Sequence, residues 1–137
     1  MMKKHGMLNS SITKVLADLG HTDWLVIADA GLPVPKGVPK IDLAFTPGTP
    51  SFKSVVKAVC DDMVIEKAIA AEEVKDGNPS QLAFLNEQFP NLIEFVPHED
   101  FKKNDRKSKS GYPYRGNDGL FKLHFTGGCL FLRMQLF

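Results

Sequence analysis

The sequence predicts an α/β protein, with a layered and largely parallel sheet and flanking helices. Short apolar runs typical of buried strands alternate along the chain with segments whose apolar residues recur at helical spacing. The segments between them are rich in proline and glycine, which end both kinds of element. With 137 residues, of which 43% are hydrophobic and 24% charged, the chain fits a single domain, 1–137, with its own core.

The first half of the chain is predicted to hold two helices and two strands. A helix is expected over 9–19, because apolar residues recur there at the i, i+3, i+4 and i+7 positions. The run WLVIA at 24–28 is too short for a helix and predicts a buried strand. After the proline-rich loop GLPVPKGVPK, a second strand is expected at 41–45. A second helix should run from Ser51 to about Asp61, where valines follow helical spacing.

The second half repeats this alternation. Residues 63–70 alternate in part between apolar and polar side chains, which indicates a third strand. Asn78 followed by Pro79 is typical of a helix start, with a cap and then a proline at the first helical position. A fourth strand is expected at 92–96, and 99–107 is predicted to be a short, basic, solvated helix.

The bulk properties exclude several classes of function. The formal net charge is +1, so no general attraction to nucleic acid is expected, and the basic cluster at 102–109 is interpreted as a solvated face. No run has the length of a membrane-spanning helix, and no apolar leader follows the first lysines, so a cytoplasmic protein is expected. Cys60 and Cys129 lack metal-binding spacing and glycine-rich nucleotide motifs are absent, so neither a metal nor a cofactor is predicted.

Three ionisable residues stand at the ends of predicted strands. Asp29 follows the first strand and His98 follows the fourth, so both could lie on the rim where ligands collect in open α/β sheets. His21 precedes the first strand, and a strand of five to seven residues spans roughly 17–23 Å. His21 and Asp29 therefore meet only if the chain bends or a neighbouring subunit completes the site. On spacing alone, a surface histidine at a helix end and an ordinary turn aspartate remain alternatives.

Four stretches, in order, carry a resemblance to a known family. They are MKKHGMLNSSITKVLADLGHTDWLVIADAGLPVP at 2–35, IDLAFTPGTPSF at 41–52, DDMVIEKAIAAEEV at 61–74 and FVPHEDFK at 95–102. By these stretches the chain resembles the D-ribose pyranase family, relatives of L-fucose mutarotase, over 2–103. The resemblance implies the layered fold of that family.

The resemblance also implies a function and a site. His21 would be the catalytic acid/base, and Asp29 and His98 would bind the sugar. The reaction would interconvert pyranose and furanose forms of D-ribose in ribose utilisation, without a cofactor. Such proteins form ring-shaped homo-oligomers, typically decamers of two stacked pentamers, whose active site is completed across a subunit boundary. A mutarotase of fucose or a related sugar, and a non-catalytic sugar-binding protein, remain alternatives.

The resemblance ends after Lys103. The family closes with a segment similar to KAVIRTGExTPYxNxxLxxGVxF, which supplies a tyrosine and an asparagine for sugar binding. Residues 104–137, here called the tail, lack this motif and its strand pattern. No substrate role is therefore assigned to Tyr112, Tyr114 or Asn117.

A shift of reading frame accounts for this departure. Back-translated with free codon choice and read one nucleotide later, residues 103–137 can spell KMTENQKAVIRTGEMTAYSNSILQAGVYF followed by a stop codon. Lys102 and Lys103 can be encoded as a run of adenines, where such a slip is common. We therefore hypothesise a one-base insertion near these lysines, and expect the altered tail to weaken folding, assembly and sugar binding.

Overall fold

The computed structural model describes residues 3–20, 23–29, 38–97, 120–125 and 129–134, with the backbone alone for Asp29 and the last two ranges. Four helices and six strands lie in these ranges. The helices are α1 (Ser10–Asp18), α2 (Phe52–Asp62), α3 (Val74–Gly77) and α4 (Pro79–Gln88). The strands are β1 (Trp24–Asp29), β2 (Lys40–Asp42), β3 (Ile65–Ala71), β4 (Ile93–Val96), β5 (Leu120–Phe125) and β6 (Cys129–Met134).

Side-chain caps begin the three longer helices. Asn9, Ser51 and Asn78 each accept a hydrogen bond from the backbone N–H three residues later. Each such cap satisfies one N–H that the first helical turn leaves without a partner, and contributes about 1 kcal/mol. These three helices begin within a residue or so of their predicted starts.

The strands form one sheet in the order β2-β5-β1-β6-β3-β4. β5 is parallel to both β1 and β2, and β3 is parallel to β4. β6 is antiparallel to its two neighbours, β1 and β3. Five strands therefore point one way and β6 points the other, which confirms the predicted largely parallel sheet.

The tail contributes two strands, although its sequence lacks the strand pattern of the family ending. β5 and β6 both come from the tail, and they pair with β1 from its two sides. Their sequences, LFKLHF and CLFLRM, are short apolar runs separated by TGG, which is a usual strand signal.

The core covers both faces of β1, as a continuous apolar run predicts. Leu25 and Ile27 face the helices, whereas Val26 and Ala28 belong to a smaller cluster on the other face with Trp24. The four residues from Leu25 to Ala28 are each 0% exposed. The helical side of the core is lined by Ile12, Val15, Leu16 and Leu19 of α1 and its end, Phe52, Val55, Val56 and Val59 of α2, and Leu85 and Phe89 of α4 and its end.

Two local differences from the predicted elements have identifiable causes. β2 ends at Asp42 instead of residue 45, because the Asp42 carboxylate accepts a hydrogen bond from the Ala44 N–H at 3.0 Å and turns the chain. The one-turn helix α3 has no apolar periodicity that could predict it. The helix expected at 99–107 lies outside the described residues.

Candidate sugar-binding site

Asp29 is the last residue of β1, at the carboxyl edge of the sheet. Its backbone pairs with Phe125 of β5, and Ala28 before it pairs with Cys129 of β6. The two tail strands therefore flank the end of β1 on both sides. Any ligand held at Asp29 is framed by backbone that the tail supplies.

The end of β4 shares this carboxyl edge, because β1 and β4 run in the same direction. Three strand spacings separate the two strands, or about 14 Å. His98 follows Val96 by two residues in the chain and lies outside the described residues. Asp29 and the end of β4 thus stand on one long rim, with β6 and β3 between them.

Asp42, the last residue of β2, also lies at this edge, and no role for it was predicted from the sequence. It lies two strands from β1. Asp42 and Ala28 both pair with His124 of β5, so they are at the same height in the sheet. Its Oδ1 is engaged with the Ala44 N–H, and the residue is exposed. An aspartate that closes a turn directly after a short strand has the same local signal as Asp29, so the sequence alone does not distinguish them.

At the opposite, amino edge of β1, two hydrogen bonds link Gly20 and Asp23. The Gly20 N–H donates to Oδ2 of Asp23 at 2.7 Å, and the Asp23 N–H donates to the Gly20 carbonyl at 3.0 Å. His21 and Thr22 are the two residues between Gly20 and Asp23 in the sequence, and they lie outside the described residues.

The length of β1 separates these two positions. The six residues of the strand span roughly 17 Å from Trp24 to Asp29. The link between Gly20 and Asp23 lies at the amino end of β1, and Asp29 lies at its carboxyl end. The strand itself therefore does not bring the predicted catalytic histidine to the predicted sugar-binding aspartate.

Other reactive groups in the described ranges suggest no different chemistry. Burial raises the pKa of the Cys60 thiol to about 12, and the neighbouring Asp61 carboxylate adds to the shift. The thiol is therefore protonated at neutral pH and is a poor nucleophile. Among the side chains that the structure describes, no three His, Cys, Asp or Glu residues gather where a metal ion could bind. None of the helices in these ranges has the length and apolar character that crossing a membrane requires.

This arrangement of strands and helices is shared with sugar mutarotases. The fucose mutarotase of Streptococcus pneumoniae, solved in complex with L-fucose, superposes with a TM-score of 0.68 over 94% of each chain. Sequence identity is 14%, so this likeness concerns the fold alone.

The sequence match is more specific. The chain belongs to the RbsD / FucU transport protein family, which it matches over residues 2–111. The D-ribose pyranase of Bacillus licheniformis is 61% identical over 110 residues, which cover 80% of this chain and 84% of that protein. The D-ribose pyranase of Bacillus subtilis is 51% identical over 110 residues, with the same two shares covered. The structure of Bacillus subtilis RbsD complexed with D-ribose superposes with a TM-score of 0.79, at 42% identity, over 99% of this chain and 100% of that chain.

Proposed function

We propose that this protein is a D-ribose pyranase, an isomerase that interconverts the pyranose and furanose forms of D-ribose. The observation that carries the proposal is the 61% identity to a D-ribose pyranase across 80% of the chain. The likeness to a structure that holds D-ribose supports the same substrate. By this interconversion the protein would supply whichever ring form of ribose the later steps of ribose utilisation consume.

The reaction consists of proton transfers around the opening of a hemiacetal. The anomeric hydroxyl loses a proton while the ring oxygen gains one, which breaks the C–O bond and leaves the open-chain aldehyde. A different hydroxyl then attacks the carbonyl carbon and loses its proton while the carbonyl oxygen gains one, which closes the other ring. A histidine titrating near neutral pH can carry the proton in both directions, and we assign this role to His21.

The sugar must be held while its ring opens and closes. We assign this role to Asp29, the last residue of β1, and to His98, which follows the end of β4 by two residues in the sequence. A carboxylate accepts charge-assisted hydrogen bonds from sugar hydroxyls, and these bonds are stronger than those between neutral groups. The Asp29 carboxylate would thus fix the orientation of ribose relative to the acid/base.

We propose that the site is completed by a second copy of the chain. The support is the roughly 17 Å between the two ends of β1, which keeps the segment carrying His21 away from Asp29. A ring-shaped assembly, a decamer of two stacked pentamers, would place the amino edge of one copy beside the carboxyl edge of another. Native mass spectrometry measures the assembly, and a monomer with full activity would contradict a shared site.

The tail belongs to the same single domain, 1–137, in this proposal. Its strands supply both neighbours of β1, although the sequence match to relatives spans residues 2–111. We retain the one-base insertion near Lys102 and Lys103 as the origin of the unmatched ending. Resequencing the gene tests it, and a neighbouring frame that cannot encode the family ending would rule it out.

A non-catalytic sugar-binding protein is the second candidate. One observation favours it: the tail strands that flank Asp29 begin at Leu120, beyond the matched residues 2–111. Polar groups that relatives contribute near this position need not be present here. Binding of ribose without acceleration of ring exchange would identify this alternative.

Saturation-transfer NMR on D-ribose distinguishes the candidates. The chain is expected to accelerate exchange between pyranose and furanose signals, and His21→Ala should reduce this acceleration about 10²- to 10⁴-fold, the usual contribution of a general acid/base. His5→Ala is the matched control, because His5 is exposed and far in sequence from the proposed site. Exchange only between anomers of fucose would instead indicate a mutarotase of that sugar.

We also propose a cytoplasmic location. The sequence has two cysteines and no disulfide framework, which is usual for proteins of a reducing compartment. Fractionation of cells that express the tagged chain tests this, and recovery outside the cytoplasmic fraction would contradict it.

A further inference from the structure

We infer that Asp23 is a positioning residue for His21, holding the backbone on both sides of the proposed acid/base. The inference rests on the proposed function, since it concerns how the catalytic histidine is presented. The observation that carries it is the pair of hydrogen bonds between Gly20 and Asp23. The Asp23 carboxylate accepts from the Gly20 N–H at 2.7 Å, and the Asp23 N–H donates to the Gly20 carbonyl at 3.0 Å.

The residues on the outer sides of Gly20 and Asp23 are buried in the core. Leu19 before Gly20 is 4% exposed and packs with the helical face of the core, and Trp24 after Asp23 is 8% exposed and packs on the opposite face of the sheet. His21 therefore belongs to a short connection between a buried helix end and a buried strand. The Gly20–Asp23 link joins the two described residues that stand on either side of His21 and Thr22 in the sequence.

The link has the geometry of a strong hydrogen bond. Bonds from a backbone N–H to a carboxylate are charge-assisted, shorter and roughly twice as strong as neutral ones. A Cβ at position 20 would stand 3.4 Å from Oδ2 of Asp23, at the short limit of ordinary van der Waals contact. The Asp23 carboxylate therefore lies directly against the Gly20 backbone.

Positioning matters because proton transfer depends steeply on geometry. A displacement of about 1 Å of a catalytic group can cost about 100-fold in rate. Loss of the Asp23 side chain frees the Gly20 N–H and loosens the segment that carries His21. The expected result is a fall in kcat with a much smaller change in KM, because the sugar-binding groups stand at the other end of β1.

The experiment compares three variants of the full chain by ribose exchange NMR and thermal unfolding. Asp23→Ala is expected to lower kcat about 10- to 100-fold. Asp23→Asn should restore kcat to within about threefold of wild type, because its amide oxygen can still accept from the Gly20 N–H. Asn9→Ala is the matched control: it removes a similar side-chain hydrogen bond, to the Ile12 N–H at 3.0 Å, from the other end of α1. It should lower Tm by a similar amount and leave kcat within about twofold of wild type.

Two results would overturn the inference while leaving the proposed function intact. In the first, Asp23→Ala loses stability like Asn9→Ala and keeps its kcat, so the turn has a structural role alone. In the second, Asp23→Asn loses as much kcat as Asp23→Ala, so the hydrogen bond is not what matters. A wild-type chain that does not accelerate ribose exchange is a separate outcome, because it refutes the proposed function and the inference with it.

Discussion

The residues that match the family and the two tail strands differ in the places that they occupy in the sheet. Residues 2–111 carry the family match and contribute β1, β2, β3 and β4. β5 and β6 lie beyond that match, yet they occupy the two places on either side of β1. Similarity to relatives and centrality in the sheet therefore do not coincide in this molecule.

The difference follows from what each kind of role demands of a residue. A place in a sheet is held chiefly by backbone hydrogen bonds, which any suitably apolar strand can make. A sugar site needs particular side chains at particular positions. The tail can therefore complete the sheet without supplying the polar groups of the family ending, and its contributions to folding and to function become separable by experiment.

Removing both tail strands should have the largest effect. Among the described strands, β1 pairs with β5 and β6, β2 pairs with β5, and β3 reaches β1 through β6. A chain ending at Gly119 would leave β1, β2 and the β3–β4 pair without links to one another. We expect loss of cooperative thermal unfolding, measured by circular dichroism. A chain lacking only residues 135–137, which follow β6, should keep its transition.

That result would also show how far the core depends on the sheet. Cooperative melting of the shortened chain near the wild-type Tm would mean that the helical core holds the fold without the tail. The central place of β5 and β6 would then have no energetic consequence.

Exchanging the tail for the alternative-frame ending should have the next largest effect, and on activity above all. The variant carries KMTENQKAVIRTGEMTAYSNSILQAGVYF from position 103 in place of the present ending. We expect ring-exchange activity on ribose to rise at least about tenfold, since several hydrogen-bonding groups at a binding site are each worth about 0.5–1.5 kcal/mol. Ribose exchange NMR and native mass spectrometry measure activity and assembly together. Equal activity in both chains would show that the present tail already serves the site.

The sequence predicts the matched region well, because its signals are local. The apolar periodicity of α1 and α2, the Asn78–Pro79 start of α4 and the apolar run of β1 each specify their element from nearby residues. The cap of α1 is Asn9, and not Ser10 or Ser11 as the sequence also suggests. The order of strands is not local: nothing near β1 indicates that strands about a hundred residues later will pair on both its sides. The place of Asp29 at a strand end was predictable for the same local reason.

The parts of the site that were not predictable depend on distant or paired features. The Gly20–Asp23 link joins two residues whose types suit an ordinary turn, so only their geometry distinguishes them. Asp42 resembles Asp29 in the sequence, and the direction of β2 and β5 is what sets it on the same edge.

The prediction with the smallest expected effect concerns the two cysteines. Cys60 lies in the region that matches the family, and Cys129 lies in the tail. A Cys129→Ser background leaves Cys60 as the only thiol, so its ionisation can be followed by the pH dependence of alkylation. The thiolate is the reactive form, and burial raises the pKa of Cys60 from 9.0 to about 12. In the folded chain the alkylation rate should therefore still be rising at pH 10, whereas in the urea-unfolded chain it should level off above pH 9.

The sign of the accompanying stability change follows from the same shift. Because the folded-state pKa is the higher one, protonated Cys60 contributes stability that is fully present below pH 9 and is lost as the pH rises toward 12. In the Cys129→Ser background, urea unfolding of the chain with Cys60 should thus weaken between pH 8 and pH 10 more than that of the Cys60→Ala variant. The residue is only partly buried, so the difference should be small. Two results together would contradict this: an identical pH dependence of unfolding in the two variants, and alkylation that levels off near pH 9 in the folded chain. They would mean that the Cys60 thiol is open to solvent and that α2 packs loosely around it.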